Sequence, residues 1–139
     1  VQTCALPILV DSVDIIILNN TFCYIPYPKQ KETIFLLYKY LKKGGRIVFY
    51  QPNPYFYIEP FTKLPFVHWL PKVIGEYVVQ KLGKRTLKDL HYNPPGILYF
   101  WLKAASFKKI RYVPNGNIFY KKKGLKRFLT PYYGMTAEK

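Results

Sequence analysis

Acidic side chains are scarce in this sequence: seven Asp and Glu stand against 22 Lys and Arg in 139 residues, a formal charge of +15. Cysteine is scarcer still. Cys4 and Cys23 form no Cys-x-x-Cys pair and lack the His or Cys partners of a zinc site, so no metal centre is expected. Two scattered thiols fit a reducing compartment, and the cytoplasm is the expected location. No uninterrupted apolar run reaches the roughly 18 residues that would suggest a membrane span. The longest, Val13–Leu18 and Gly96–Leu102, are of strand or short-helix size. No charged segment leads into an apolar run, so no signal peptide is visible. The chain opens on Val rather than Met, and Val1–Pro7 reads as the middle of a domain. A fragment of a longer protein is therefore expected. Internal repeats are absent.

What is present is apolar. Half of the residues are hydrophobic and 19% aromatic, which excludes a disordered chain and suits one packed domain. The basic excess leaves two readings open. It suits a nucleic acid or an anionic membrane surface. It also suits the Lys, Tyr, Phe, Ile and Asn bias of an AT-rich coding sequence, with no binding role.

Asp14–Leu18 (D-I-I-I-L) is β-branched, apolar on both faces and too short for a helix, which predicts a central parallel strand covered on each side. From Pro28 to Lys43 the period changes: Ile34, Leu37, Tyr38 and Leu41 fall at i, i+3, i+4 and i+7, the stripe of an amphipathic helix. Lys42 and Lys43 suit its C-terminal dipole, and Gly44 is the expected left-handed stop. Arg46–Tyr50 (R-I-V-F-Y) predicts a second buried strand, closed by Pro52. Strand, helix and strand make a βαβ unit, so the fold class is α/β with a mainly parallel sheet. Asn53–Pro71 is rich in proline and aromatics, too apolar for a solvated linker, and of a length that in compact domains is usually functional. Helical patterns follow at about 71–82 and 95–105. Lys109–Val113 and Ile118–Tyr120 predict a hairpin around Asn115-Gly116. Lys121–Lys139 is basic, broken by Gly and Pro, and expected to fray.

The stretch 6–26, L-P-I-L-V-D-S-V-D-I-I-I-L-N-N-T-F-C-Y-I-P, resembles the fourth-strand region of the class I S-adenosylmethionine (SAM)-dependent methyltransferases. Residues 41–53, L-K-K-G-G-R-I-V-F-Y-Q-P-N, resemble the segment that ends the next helix of that family and opens its fifth strand. The two segments are in the family's order and separation. The resemblance spans about Leu6–Tyr120 and implies the C-terminal part of a Rossmann-like sheet: a βαβ unit, an aromatic and helical insertion, and a closing antiparallel hairpin. It divides the chain into a partial methyltransferase domain at 1–122, with an acceptor-binding insertion at about 53–95, and a basic tail at 123–139. Residues 64–71, 89–92 and 102–107 resemble a bacterial subgroup associated with cell-surface polysaccharide or lipid pathways. The implied activity is methyl transfer from SAM to a small metabolite, sugar or lipid. The family's glycine-rich loop and its acidic ribose-binding residue have no counterpart here, so this chain alone is expected to bind SAM poorly and to be inactive.

The resemblance places Asn19, Asn20, Thr21 and Phe22 against the cofactor, at the carboxyl end of a strand where open α/β sheets bind ligands. Gln2 and Thr3 stand where the family reaches the adenine edge, and an amide can both donate and accept there. The plain alternative for 19–21 is a strand-end and helix-capping turn. Transfer from an activated sulfonium asks the protein to align the acceptor and, for an oxygen or nitrogen acceptor, to remove a proton. Tyr24 stands where the family often has His; a phenol of pKa ~10 is a poor base, so it is expected to orient substrate. His68 and His91 are the remaining bases, the latter two residues after Asp89. Tyr55, Phe56 and Trp69 are expected to wall the acceptor pocket. Their alternatives are core packing and, beside lysines, contact with an anionic membrane. The rival to an enzyme is a basic module using Lys103–Arg111 and Lys121–Arg127 on nucleic acid or anionic lipid; nucleic acid is the less expected, since no recognisable motif for it is present.

Overall fold

Strand, helix and strand follow one another at the start of the described chain: β1 (Val13–Asn19), α1 (Tyr27–Tyr40) and β2 (Leu41–Pro52). They are seen in a computed structural model, which describes residues 9–84, 86–114 and 130–139. Helices α2 (Lys72–Lys81) and α3 (Pro95–Ala104) come next, then strands β3 (Lys108–Pro114) and β4 (Tyr132–Glu138). The four strands form one sheet in the order β1-β2-β4-β3. β1 and β2 run parallel, while β4 is antiparallel to both β2 and β3. The α/β class and the βαβ unit are as expected, and the described sheet is mixed.

Among the described residues only one face of this sheet is covered. α1 and α3 lie on the same side, where Ile34, Leu98 and Leu102 pack on Ile47, Phe49, Tyr133 and Met135. Phe22 meets Phe49 edge-on at 5.2 Å, and Tyr38 meets Phe107 at 4.9 Å. The expectation of strands buried on both faces is corrected here. Strand side chains alternate between faces, and Ile15 and Ile17, pointing away from the helices, are 57% and 68% exposed. Among the described residues β1 pairs with β2 alone, leaving its other edge open.

Two boundaries also differ from expectation. α1 ends at Tyr40, not at Gly44, because Leu41 turns extended and its side chain is fully buried beneath the sheet. Gly44 is left-handed (φ 81°), but it serves a bulge: Val13 pairs with Leu41 and Ile15 with Arg46, so β2 carries extra residues between those contacts. Gly45 follows at a close approach, since a Cβ there would lie 2.9 Å from the Lys42 carbonyl and 3.1 Å from that of Asp14. The second correction concerns the C-terminus. The partner of β3 is β4, and the end expected to fray is a strand at the heart of the sheet. Tyr133, Met135 and Ala137 alternate into the core, a period-2 pattern that outweighs the lysines before it. The expected Ile118–Tyr120 strand and the Lys121–Arg127 run lie outside the described residues.

The segment between β2 and α3 has its own small core of Val67, Val79, Leu87 and Leu90, shared with Cys23 from the 3-10 turn Phe22–Tyr24 after β1. An isolated bridge joins Ile58 to Pro65, and a second 3-10 turn spans Val67–Trp69. No helix among the described residues is long and apolar enough to cross a membrane.

Candidate active site

The turn that leaves β1 is shaped by Asn20, whose φ of 51° is left-handed and whose N–H donates to the Tyr50 carbonyl at 2.7 Å. Asn tolerates that conformation better than most residues. Its side-chain Oδ1 is buried with no hydrogen-bond partner, an acceptor left without a donor. Such groups are uncommon in folded proteins, and a bound water, ion or ligand is one way they are satisfied. Asn19 and Thr21 on either side are exposed. Phe22 is different. Its ring is buried in the core and packs edge-on against Phe49. Gln2 and Thr3 lie outside the described residues.

A cavity of about 410 Å³ is lined by Tyr27 at the start of α1, Pro54 just past β2 and the segment that follows. His68, Trp69, His91 and Tyr92 line it, together with Lys72 and Glu76 of α2. Two histidines 23 positions apart in sequence thus share one wall. Tyr24, Tyr55 and Phe56 do not line that cavity. Tyr24 and Tyr55 are exposed, and Phe56 packs on Tyr57 at 4.8 Å. A larger hollow of about 640 Å³ is lined by α1 residues alone and is the outer surface of one helix.

Burial sets the protonation of the cavity. His68 donates from Nε2 to the Pro54 carbonyl at 3.2 Å, the only direction open because a carbonyl cannot donate, and Trp69 Nε1 donates to the same oxygen at 2.7 Å. Desolvation lowers the His68 pKa below its ordinary 6.5, against the opposing pull of the Pro54 carbonyl and the Glu59 charge. His91 is also lowered, by desolvation and then by the Lys72 charge, with Asp89 opposing. Both imidazoles are therefore neutral at neutral pH and able to accept a proton. Glu59 is fully buried. It accepts the backbone N–H of Phe61 at 3.0 Å and the Tyr92 hydroxyl at 2.5 Å. Burial and that carboxylate raise the Tyr92 pKa strongly, keeping it a neutral donor.

A buried polar chain holds the cavity against the sheet. Gln51 of β2 donates to the Tyr133 hydroxyl, which donates to the Asn93 carbonyl at 2.8 Å. The Asn93 amide donates to Gln30 Oε1, and Gln30 Nε2 donates to the carbonyls of Ile25 at 2.8 Å and His91 at 3.2 Å. The His91 N–H donates to the Cys23 carbonyl at 2.7 Å, so the backbone of His91 is tied on both sides. Sequence reasoning passed over Gln30, Asn93 and Tyr133. One signal existed: Gln30 sits four residues before Ile34, a polar group on the buried stripe of α1. Glu59 is the sole acid between Glu32 and Glu76 and stands among prolines and aromatics. Among the described residues no group of three His, Cys, Asp or Glu side chains is placed to hold a metal. In the basic stretch 103–111, Lys109 pairs with Glu138 at 2.9 Å, and Arg46 of β2 meets the same carboxylate at 3.8 Å.

No family model matches the sequence, and no curated protein sequence is significantly similar to it. Solved structures do resemble the fold. A SAM-dependent methyltransferase from Archaeoglobus fulgidus superposes with a TM-score of 0.55 at 14% identity, covering 94% of this chain and 61% of its own. One from Thermotoga maritima gives 0.59 at 16%, covering 96% and 59%. A Haemonchus contortus phosphoethanolamine N-methyltransferase, in complex with phosphomonomethylethanolamine and S-adenosylhomocysteine, gives 0.56 at 14%, covering 94% and 34%. This chain thus spans about three-fifths or less of the structures it matches. The parallel β1-α1-β2 unit, the segment that follows it and the antiparallel close of the sheet together match part of the fold of these SAM-dependent methyltransferases.

Proposed function

We propose that the chain is part of a SAM-dependent methyltransferase whose acceptor, a small metabolite, sugar or lipid, enters the cavity of His68 and His91. The observation that carries this reading is the juxtaposition at the strand ends. A buried, unpartnered Asn20 oxygen lies on the turn after β1, and the segment after β2 forms a cavity lined by His68 and His91, the latter tied by its backbone N–H to Cys23 of the turn that follows Asn20. These residues fit SAM as far as they reach. Asn19, Asn20 and Thr21 would hold it, with Asn20 Oδ1 accepting from an amine or hydroxyl of the cofactor. When bound, SAM supplies an activated methyl group, so the protein has only to align the acceptor, exclude water and take up a proton.

His91 is the residue we assign to the proton. Its backbone is anchored at both polar groups, its imidazole lines the cavity, and its lowered pKa keeps it a base at neutral pH. His68, tied to Pro54 and packed edge-on to Tyr92 at 6.0 Å, shapes the wall beside it. Trp69 and Tyr92 supply apolar and polar lining for a small organic acceptor. Acceptor specificity would therefore reside in the insertion at about 53–95.

The test is a titration of the isotope-labelled chain with S-adenosylhomocysteine at millimolar concentration, followed by amide resonances. Shifts confined to Asn19–Phe22 and their neighbours, lost in Asn20→Gly, are expected; that substitution keeps the left-handed backbone and deletes the oxygen. Unchanged resonances at saturating ligand, or equal shifts in the variant, would remove the assignment.

A further inference from the structure

We infer that the outer face of α2 and the turn before it form a docking surface for an anionic lipid bilayer. Helix α2 packs on the insertion's small core through Gly75 and Val79, which are buried. A surface helix should carry polar groups on the opposite side. Here that side carries Val73, Ile74 and Tyr77, with Val73 83% and Tyr77 61% exposed. The apolar ridge continues through Leu70 to Trp69 and Phe66, whose rings lie 5.1 Å apart and are about half exposed. Phe66 is held at a φ of 58°, a strained conformation for a bulky side chain, with its ring still facing solvent. An aromatic and aliphatic ridge of this kind, with Trp and Tyr among it, matches the depth profile of a bilayer interface.

Charge selects the occupant. Lys63, Lys72 and Lys81 are exposed on the segments that carry the ridge, and Lys81 Nζ lies over the Tyr77 ring at 5.7 Å. The acids nearby are turned elsewhere. Glu59 is buried under Tyr92, and the Glu76 carboxylate accepts from Thr86 Oγ1 at 2.6 Å and the Leu87 N–H at 3.0 Å. Apolar groups flanked by exposed lysines complement anionic headgroups over acyl chains, and a lysine near such a surface adds to binding. The cavity opens on the same ridge, since Trp69, Leu70 and Lys72 line both. Docking there would bring that opening to the lipid interface. The inference stands on the ridge alone and does not depend on methyl transfer.

Co-sedimentation with vesicles decides it. The chain should sediment with vesicles of equal parts phosphatidylglycerol and phosphatidylcholine, and remain soluble with phosphatidylcholine alone. Val73→Glu/Tyr77→Glu, a solvent-facing pair, should lower partitioning about tenfold or more at unchanged circular dichroism. In a Trp101→Phe background the remaining Trp69 emission should shift to the blue on binding. Three results would overturn the inference: no sedimentation with anionic vesicles, full retention in the double variant, or a wild-type dimer in analytical ultracentrifugation that the double variant converts to monomer. The second result would mean that net charge alone drives adsorption, and the third that a second copy covers the ridge.

Discussion

Replacing Tyr133 by Phe removes one oxygen from the centre of the molecule and nothing else. The ring is fully buried and stacks on Tyr112 at 5.9 Å, a contact that Phe retains. What goes is the hydroxyl between Gln51 and Asn93. Two buried groups then lose their partner: the Gln51 amide, whose Oε1 is already unpartnered, and the Asn93 carbonyl. Leaving a buried polar group unsatisfied costs about 1–3 kcal/mol, partly offset because no hydroxyl need be desolvated. The net loss should be about 2–4 kcal/mol. At roughly 3 °C per kcal/mol for a domain of this size, Tm should fall by ~6–12 °C. Urea unfolding should give the same loss with an unchanged slope, the mark of a stability effect rather than of a different unfolded state. A loss below ~0.5 kcal/mol, the size of a neutral change, would refute the claim that this chain of hydrogen bonds ties the insertion to the sheet.

Glu59→Ala should loosen the insertion, because the Phe61 N–H, the Thr62 N–H and the Tyr92 hydroxyl lose their common acceptor; a loss of about 3–5 kcal/mol is expected, with a weakened near-ultraviolet dichroism from the aromatics. Gly45→Ala forces a Cβ to 2.9 Å from a carbonyl oxygen and should destabilise by ~1–3 kcal/mol. Gly44→Ala has open space and only its φ of 81° to bear, so thermal melts should rank it the milder of the two at ~1 kcal/mol. The two histidines have folded pKa values below the ordinary 6.5, so the unfolded chain binds more protons as pH falls through that value. Their contribution is complete above 6.5 and is lost as the pH drops toward the folded values. Proton NMR should find both imidazoles titrating below 6.5, and His68→Phe should flatten stability against pH in that window.

Local chemistry wrote much of the fold into the sequence. Alternating or continuous β-branched residues marked β1 and β2, and the i, i+3, i+4 stripe from Ile34 to Leu41 marked α1. Both are readable because each depends on a window of a dozen residues at most. The histidines and Trp69 were also legible as candidates, since their side-chain chemistry is carried by residue type. Tertiary structure decided the rest. β4 reads locally as the end of a basic tail, and only pairing with β2 across eighty positions makes its alternation a core strand. Ile15 and Ile17 look like core residues, yet α1 and α3 settle on the other face and leave them exposed. Tyr55 and Phe56 share the composition of Trp69, but only Trp69 reaches the cavity, because a turn directs it there. The union of Gln30, Asn93, Tyr133 and Gln51 spans a hundred residues of chain. No periodicity encodes it, since hydrogen bonds between distant segments follow from how those segments pack and not from what their neighbours are.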